Sequence, residues 1–155
     1  MKKFAAADLP VVSGSRYPPP FDVPCRQRRS RRLGEAAGLT QFGVNLVQLP
    51  PGAWSSQRHW HSDEDELVYV LRGEAVLLTD SGEEILGPGD CVGFKGGARD
   101  GHCLQNRSTR HVELLVVGSR LEEDHGEYPD IDLVFTGNRY AGGGGKFLRK
   151  DGRPY

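Results

Sequence analysis

The sequence predicts an all-β domain of short strands, preceded by an extended N-terminal arm. Its 155 residues include 21 glycines and 10 prolines with 37% hydrophobic residues, a mixture that suits many turns and few helices, since helix interiors tolerate neither glycine nor proline well. Short apolar runs recur between turn signals, which is the spacing of a sandwich or barrel. The length supports one hydrophobic core rather than two.

Residues 1–40 differ from the rest. Ser13-Gly14-Ser15-Arg16-Tyr17-Pro18-Pro19-Pro20 is expected as extended, polyproline-like coil, because consecutive prolines bar helix and sheet ladder alike. Arg26, Arg28, Arg29, Arg31 and Arg32 then crowd one stretch, and these forty residues hold eight basic against three acidic side chains, whereas the remainder holds twelve against eighteen. No recognition helix, zinc finger or aromatic platform follows the arginines, so nucleic acid is not the expected partner. The arm is expected to pack on the barrel or on a partner subunit of a homodimer through salt bridges to an acidic surface.

Residues 41–120 carry the expected barrel, with strands over 44–49, 55–61, 66–71, 74–79, 83–86, 91–94, 102–106 and 112–117. Pro50-Pro51-Gly52, Asp80-Ser81-Gly82 and Gly87-Pro88-Gly89-Asp90 are the turns, proline presetting φ and glycine supplying positive φ. Strand parity sets Tyr69 on the face opposite Val68 and Val70, and Arg58 and Trp60 on the face opposite His59. Residues 121–155 are expected to complete the domain with a strand and a hairpin. The glycines of Ala141-Gly142-Gly143-Gly144-Gly145 are expected at the hairpin tip, since no strand leads in and no Gly-Lys-Ser/Thr follows to cradle a phosphate.

The chemistry concentrates in four residues and their neighbours. On a strand, residues two apart share a face, so His59 and His61 can grip one ion together. After the polar turn Ser62 to Asp65, Glu66 opens the apolar run Leu67-Val68-Tyr69-Val70-Leu71, where an unpaired buried carboxylate would be costly without a cation or donors beside it. Some forty residues on stand His102 and Asn106, the latter expected to bond backbone.

These residues resemble the cupin superfamily. Gly52, His59, His61, Glu66 and Gly73 fit its first motif, with one residue more than usual between Gly52 and His59. Gly89, Gly97, His102 and Asn106 fit the second, although Lys95 stands where a proline is usual and two extra residues precede His102. Together with residues 38–43 and 54–61, the chain is similar over nearly its full length to small microbial single-cupin proteins, some of them named sugar-phosphate isomerases. The resemblance implies a double-stranded β-helix, or jelly roll, holding one metal at its mouth through His59, His61, Glu66 and His102.

Three neutral imidazoles and one carboxylate suit a divalent transition metal such as Zn, Mn, Fe or Ni, and suit Ca or Mg poorly. With one anionic ligand the site stays net positive and favours small anionic or polyhydroxylated substrates. The first functional expectation is an isomerase or epimerase of a small sugar or sugar phosphate working through a metal-stabilised enediolate. Glu64 is its candidate acid or base, and Gln57, Lys95 and Arg99 are candidate substrate contacts. The alternatives are an Fe(II)-dependent dioxygenase of a small molecule and a non-catalytic ligand-binding or sensor cupin. Three widely spaced cysteines, Cys25, Cys91 and Cys103, imply no disulfide framework. No run of eighteen apolar residues and no secretory signal at the start are apparent, so a cytoplasmic protein is expected.

Overall fold

The computed structural model describes residues 3–137 and 145–155, and the expected glycine-rich hairpin tip at 141–144 lies outside them. Among the described residues, strands run β1 (Val12–Ser13), β2 (Arg29–Arg32), β3 (Phe42–Leu49), β4 (Trp60–His61), β5 (Glu66–Arg72), β6 (Ala75–Thr79), β7 (Gly82–Leu86), β8 (Cys91–Phe94), β9 (Cys103–Gln105), β10 (Val112–Ser119), β11 (Gly126–Tyr128), β12 (Leu133–Thr136) and β13 (Lys146–Leu148). A four-residue helix, α1 (Leu33–Ala36), lies between β2 and β3. No helix among the described residues is long and apolar enough to cross a membrane.

These strands pair antiparallel throughout. One layer has the order β1-β2-β3-β10-β5-β8. The other is made of β13-β12-β11-β4 and β7-β6-β9, stitched together by the bridges His59↔His102 and Trp54↔Gln105. Two layers closing on one core make the expected jelly roll. The core is built from alternate residues: Val68 and Val70 of β5 are fully enclosed, whereas Leu67, Tyr69 and Leu71 are exposed on the outer face. That period of two is what one buried face of a strand requires. From the other layer Leu77 and Leu104 complete the same cluster.

Gly73 ends β5 with φ +78°, and a Cβ there would stand 2.6 Å from the His111 carbonyl oxygen. Only glycine meets both demands without strain.

Two local expectations differ from the structure. Of residues 55–61, only Trp60 and His61 form a strand; Ser55 Oγ accepts the Leu104 N–H that a regular ladder would give to a main-chain carbonyl, and the segment bends. The proline run turns rather than extends, with the Phe21 N–H on the Pro18 carbonyl and the Val23 N–H on that of Pro20; a fixed φ serves turns as readily as polyproline coil. The arginine run, for which no element is expected from the sequence, supplies a strand: β2 pairs with β3 from Arg29↔Gln48 to Arg32↔Asn45.

Candidate metal centre

His59 and His102 form a hydrogen-bonded antiparallel pair, each N–H on the other's carbonyl at 3.1 and 2.9 Å. Directly opposed residues carry neighbouring side chains, and the two rings lie 4.9 Å apart between centroids. His61, two residues from His59, brings its ring to 5.0 Å from that of His59. Glu66, at the start of β5 in the facing layer, supplies the carboxylate. One ligand atom each from His59, His61 and Glu66 can be chosen with all within 4.8 Å of one another, and His102 Nε2 is 3.9 Å from Glu66 Oε1. The three imidazoles are 8%, 6% and 2% exposed.

Each imidazole is set differently. His59 Nδ1 donates to the Gln57 carbonyl at 2.9 Å. His61 Nδ1 donates to Asp124 Oδ2 at 2.8 Å. Both bonds put the proton on Nδ1 and the lone pair on Nε2, the arrangement that prepares a histidine for a metal. His102 stacks on Phe94 at 3.5 Å, nearly parallel, and its two ring nitrogens are enclosed without a hydrogen bond of ordinary geometry. Burial, reinforced by His61, lowers its pKa to about 3, against a smaller opposing influence of the Asp100 backbone.

Asp124, in the segment before β11, is the site residue that sequence reasoning missed. It reaches His61 because β11 pairs with β4, Gly126 opposite His61. No spacing rule links residues so far apart, so the signal was absent from the local sequence. Burial would raise the pKa of its carboxyl, but His61 and the N–H groups of Asp63 and Glu64 prevail and hold it below the usual value. His61, Glu64 and Asp124 also cluster closely enough to suggest a second cation site. That reading fails on protons: the His61 nitrogen facing Asp124 is a donor, and the carboxylate already accepts from two main-chain N–H groups.

The remaining candidates fall in different places. Glu64 is buried, accepts the Leu121 N–H at 2.8 Å and, with His59, His61, Glu66 and Arg120, lines a cavity of ≈ 150 Å³. Gln57 is buried, and its amide donates to the Phe21 carbonyl at 2.7 Å. Lys95 and Arg99 are exposed and line neither this cavity nor the larger one described next; the Arg99 guanidinium lies 5.3 Å above the Trp60 ring, which is therefore covered although it faces outward. Asn106 bonds backbone, donating to the carbonyls of Leu49 and Arg110.

A second cavity of ≈ 490 Å³ opens between the layers, with His59, Glu66 and Tyr128 in its wall. Tyr128 stacks on His59 at 5.6 Å. An electron-rich cluster in the wall of such a cavity can hold a cation where a small molecule reaches it.

No curated protein of known function matches the chain in sequence. Residues 45–118 match the model of the Cupin domain. Among solved structures, a sugar phosphate isomerase from a cupin superfamily of Silicibacter pomeroyi is 42% identical, aligning over 99% of this chain and 96% of its own, with TM-score 0.93. A candidate sugar phosphate isomerase from Acidithiobacillus ferrooxidans is 34% identical over 81% of this chain and 78% of its own, with TM-score 0.73. The polyketide cyclase RemF from Streptomyces resistomycificus, at 23% identity over 77% of this chain and 79% of its own and TM-score 0.64, shares the fold alone. The jelly roll, the motif residues and this full-length similarity agree, and the chain belongs to the cupin superfamily.

Proposed function

We propose that the protein is a metal-dependent isomerase or epimerase of a small sugar phosphate, with one divalent transition metal held by His59, His61, Glu66 and His102. The observation that carries this reading is His102, an enclosed imidazole without an ordinary hydrogen bond, 3.9 Å from Glu66 and beside two further histidines. Leaving a buried nitrogen unmet costs free energy, and a transition metal is the partner that satisfies three imidazoles and a carboxylate together. The 42% identical relative named a sugar phosphate isomerase supports the substrate class.

A divalent ion in this cluster supplies Lewis acidity toward adjacent oxygens of a bound sugar. The chain's own residues do the rest. Asp124 and the Gln57 carbonyl fix the tautomers of His61 and His59. Phe94 and Tyr128, stacked on His102 and His59, keep water from the back of the rings. Glu64, in the wall of the small cavity beside His59 and His61, is the carboxylate assigned to move a proton between neighbouring carbons.

The test combines metal analysis with solvent exchange. Protein purified without chelator should contain about one transition-metal ion per chain, and should exchange a C–H next to the carbonyl of aldose phosphates for deuterium in D₂O, followed by proton NMR. His61→Ala should lose both properties and keep its β circular dichroism. Unchanged metal stoichiometry in that variant would defeat the site. Oxygen uptake by iron-loaded protein, in place of deuterium exchange, would reassign the reaction to dioxygenation.

A further inference from the structure

The arginine-rich run bears on the large cavity through strand parity. β2 pairs with β3, Ser30 opposite Val47, and Ser30 is buried while Arg29 and Arg32 are exposed at the strand ends. Residues 28, 30 and 32 share one face, and all three line the ≈ 490 Å³ cavity that also contains His59 and Glu66. Arg32 has a counter-charge in Glu35 at 3.3 Å. Arg28 has no ion pair among the described residues, and its Nε is enclosed without a hydrogen bond. Ser15 Oγ, in the same wall, is likewise enclosed without a partner, and Arg16 beside it lines the cavity too. Burial lowers the Arg28 pKa, with Tyr17, Cys25 and Glu66 opposing it incompletely.

A half-buried guanidinium whose Nε is enclosed without an acceptor is unfavourable by itself, and the protein retains one in the wall of a cavity. Planar guanidinium donors fit oxyanions. We infer that Arg28, with Arg16 and Ser15, forms an anion subsite that takes the phosphate of a phosphate monoester whose other end faces His59 and Glu66. Three terminal oxygens match the two guanidinium groups and the hydroxyl, whereas a carboxylate offers only two. The identification of the ligand as a sugar phosphate rests on the proposed isomerase reading; the subsite does not depend on the metal. Lys95 and Arg99, the phosphate contacts expected from sequence, stand outside the cavity.

The probe is inorganic phosphate, titrated calorimetrically into the full chain, once metal-loaded and once after chelator treatment. Phosphate should bind in both states, since binding that needs the metal would be ligation of the ion. Arg28→Met should weaken it by about 30-fold or more, leave the metal content unchanged, and leave the melting temperature in phosphate-free buffer equal or higher, because a poorly compensated cation is removed. Arg28→Lys should recover part of the affinity, and Lys95→Ala should keep it all. The inference is overturned if the native protein ignores phosphate at millimolar concentration, if phosphate binds only with metal present, if Arg28→Met binds as well as the native chain, or if Lys95→Ala is the variant that loses it. Phosphate binding by a chain that never holds metal would instead defeat the metal centre and leave the anion subsite intact.

Discussion

At one end the large cavity meets groups that accept, the His59 imidazole and the Glu66 carboxylate, with His102 behind them; at its N-terminal end it meets groups that donate, Arg28, Arg16 and Ser15. His102 beside the first end and Arg28 and Ser15 at the second enclose polar atoms without a hydrogen bond, yet what they call for is of opposite sign. A cation answers one and an anion the other. The two ends also differ in construction. The accepting end is assembled by strands of the barrel and buttressed by Asp124 and the Gln57 carbonyl. The donating end is assembled by the N-terminal segment, joined to the barrel through β2 on β3 and the Gln57 amide on the Phe21 carbonyl. A molecule with vicinal oxygens at one end and a phosphate at the other would meet both needs at once, which is why the two inferences reinforce each other while remaining separately testable.

Acid should break the accepting end first. An unfolded histidine titrates near 6.5, whereas His102 in the folded chain does so at about 3. Between these values the unfolded state binds the extra proton, so the contribution of His102 to stability is fully present above about pH 6.5 and is lost progressively as pH falls toward 3, at up to roughly 1.4 kcal/mol per pH unit. Urea midpoints of chelator-treated protein should follow that slope, and His102→Leu should flatten it by about one proton while Arg28→Met leaves it alone. An identical slope with and without His102 would remove the contrast between the two ends.

The buttress offers a smaller and more local effect. Asp124→Asn should weaken metal binding by about 10- to 100-fold in a chelator competition and leave phosphate binding to the metal-free protein unchanged. Equal metal affinity would mean that the His61 hydrogen bond orients nothing. A parallel loss of phosphate affinity would mean that the two ends are one coupled unit.

Thiol labelling compares how tightly the two parts pack, with little energetic consequence. Burial pushes Cys25, in the N-terminal segment, up to about 12, and Cys103, beside His102, up to about 11. Both thiolates should therefore be scarce at pH 8, so a disulfide reagent should modify exposed Cys91 rapidly and the other two only on unfolding. Rapid modification of Cys25 with Cys103 still silent would show that the N-terminal segment lifts from the barrel on its own.

What could be read from the chain beforehand follows the range of the interactions. The hairpins from β5 to β8 were legible because alternation and turn residues are local signals; Val68 and Val70 face in, Tyr69 faces out, and Gly73 turns where the ladder ends. Parity likewise set His59 and His61 on one face and Glu66 at the head of an apolar strand. The same rule set Gln57 beside His59, but its amide is occupied by a carbonyl thirty-six residues earlier, a contact that periodicity does not encode. The arginines were visible as a cluster of charge, yet which of them face the cavity depends on the register of β2 against β3.

The sequence by itself determined the barrel and the spacing of its motif residues, since a period of two and a turn glycine act over a few residues and need no distant partner. The tertiary structure alone decided that Asp124 fixes the tautomer of His61, that Lys95 and Arg99 stand outside the cavity, and that Arg28 stands within it. Those outcomes depend on long-range strand registers, where a shift of one residue reverses every side chain, and on the enclosure that makes an unmet charge or lone pair costly.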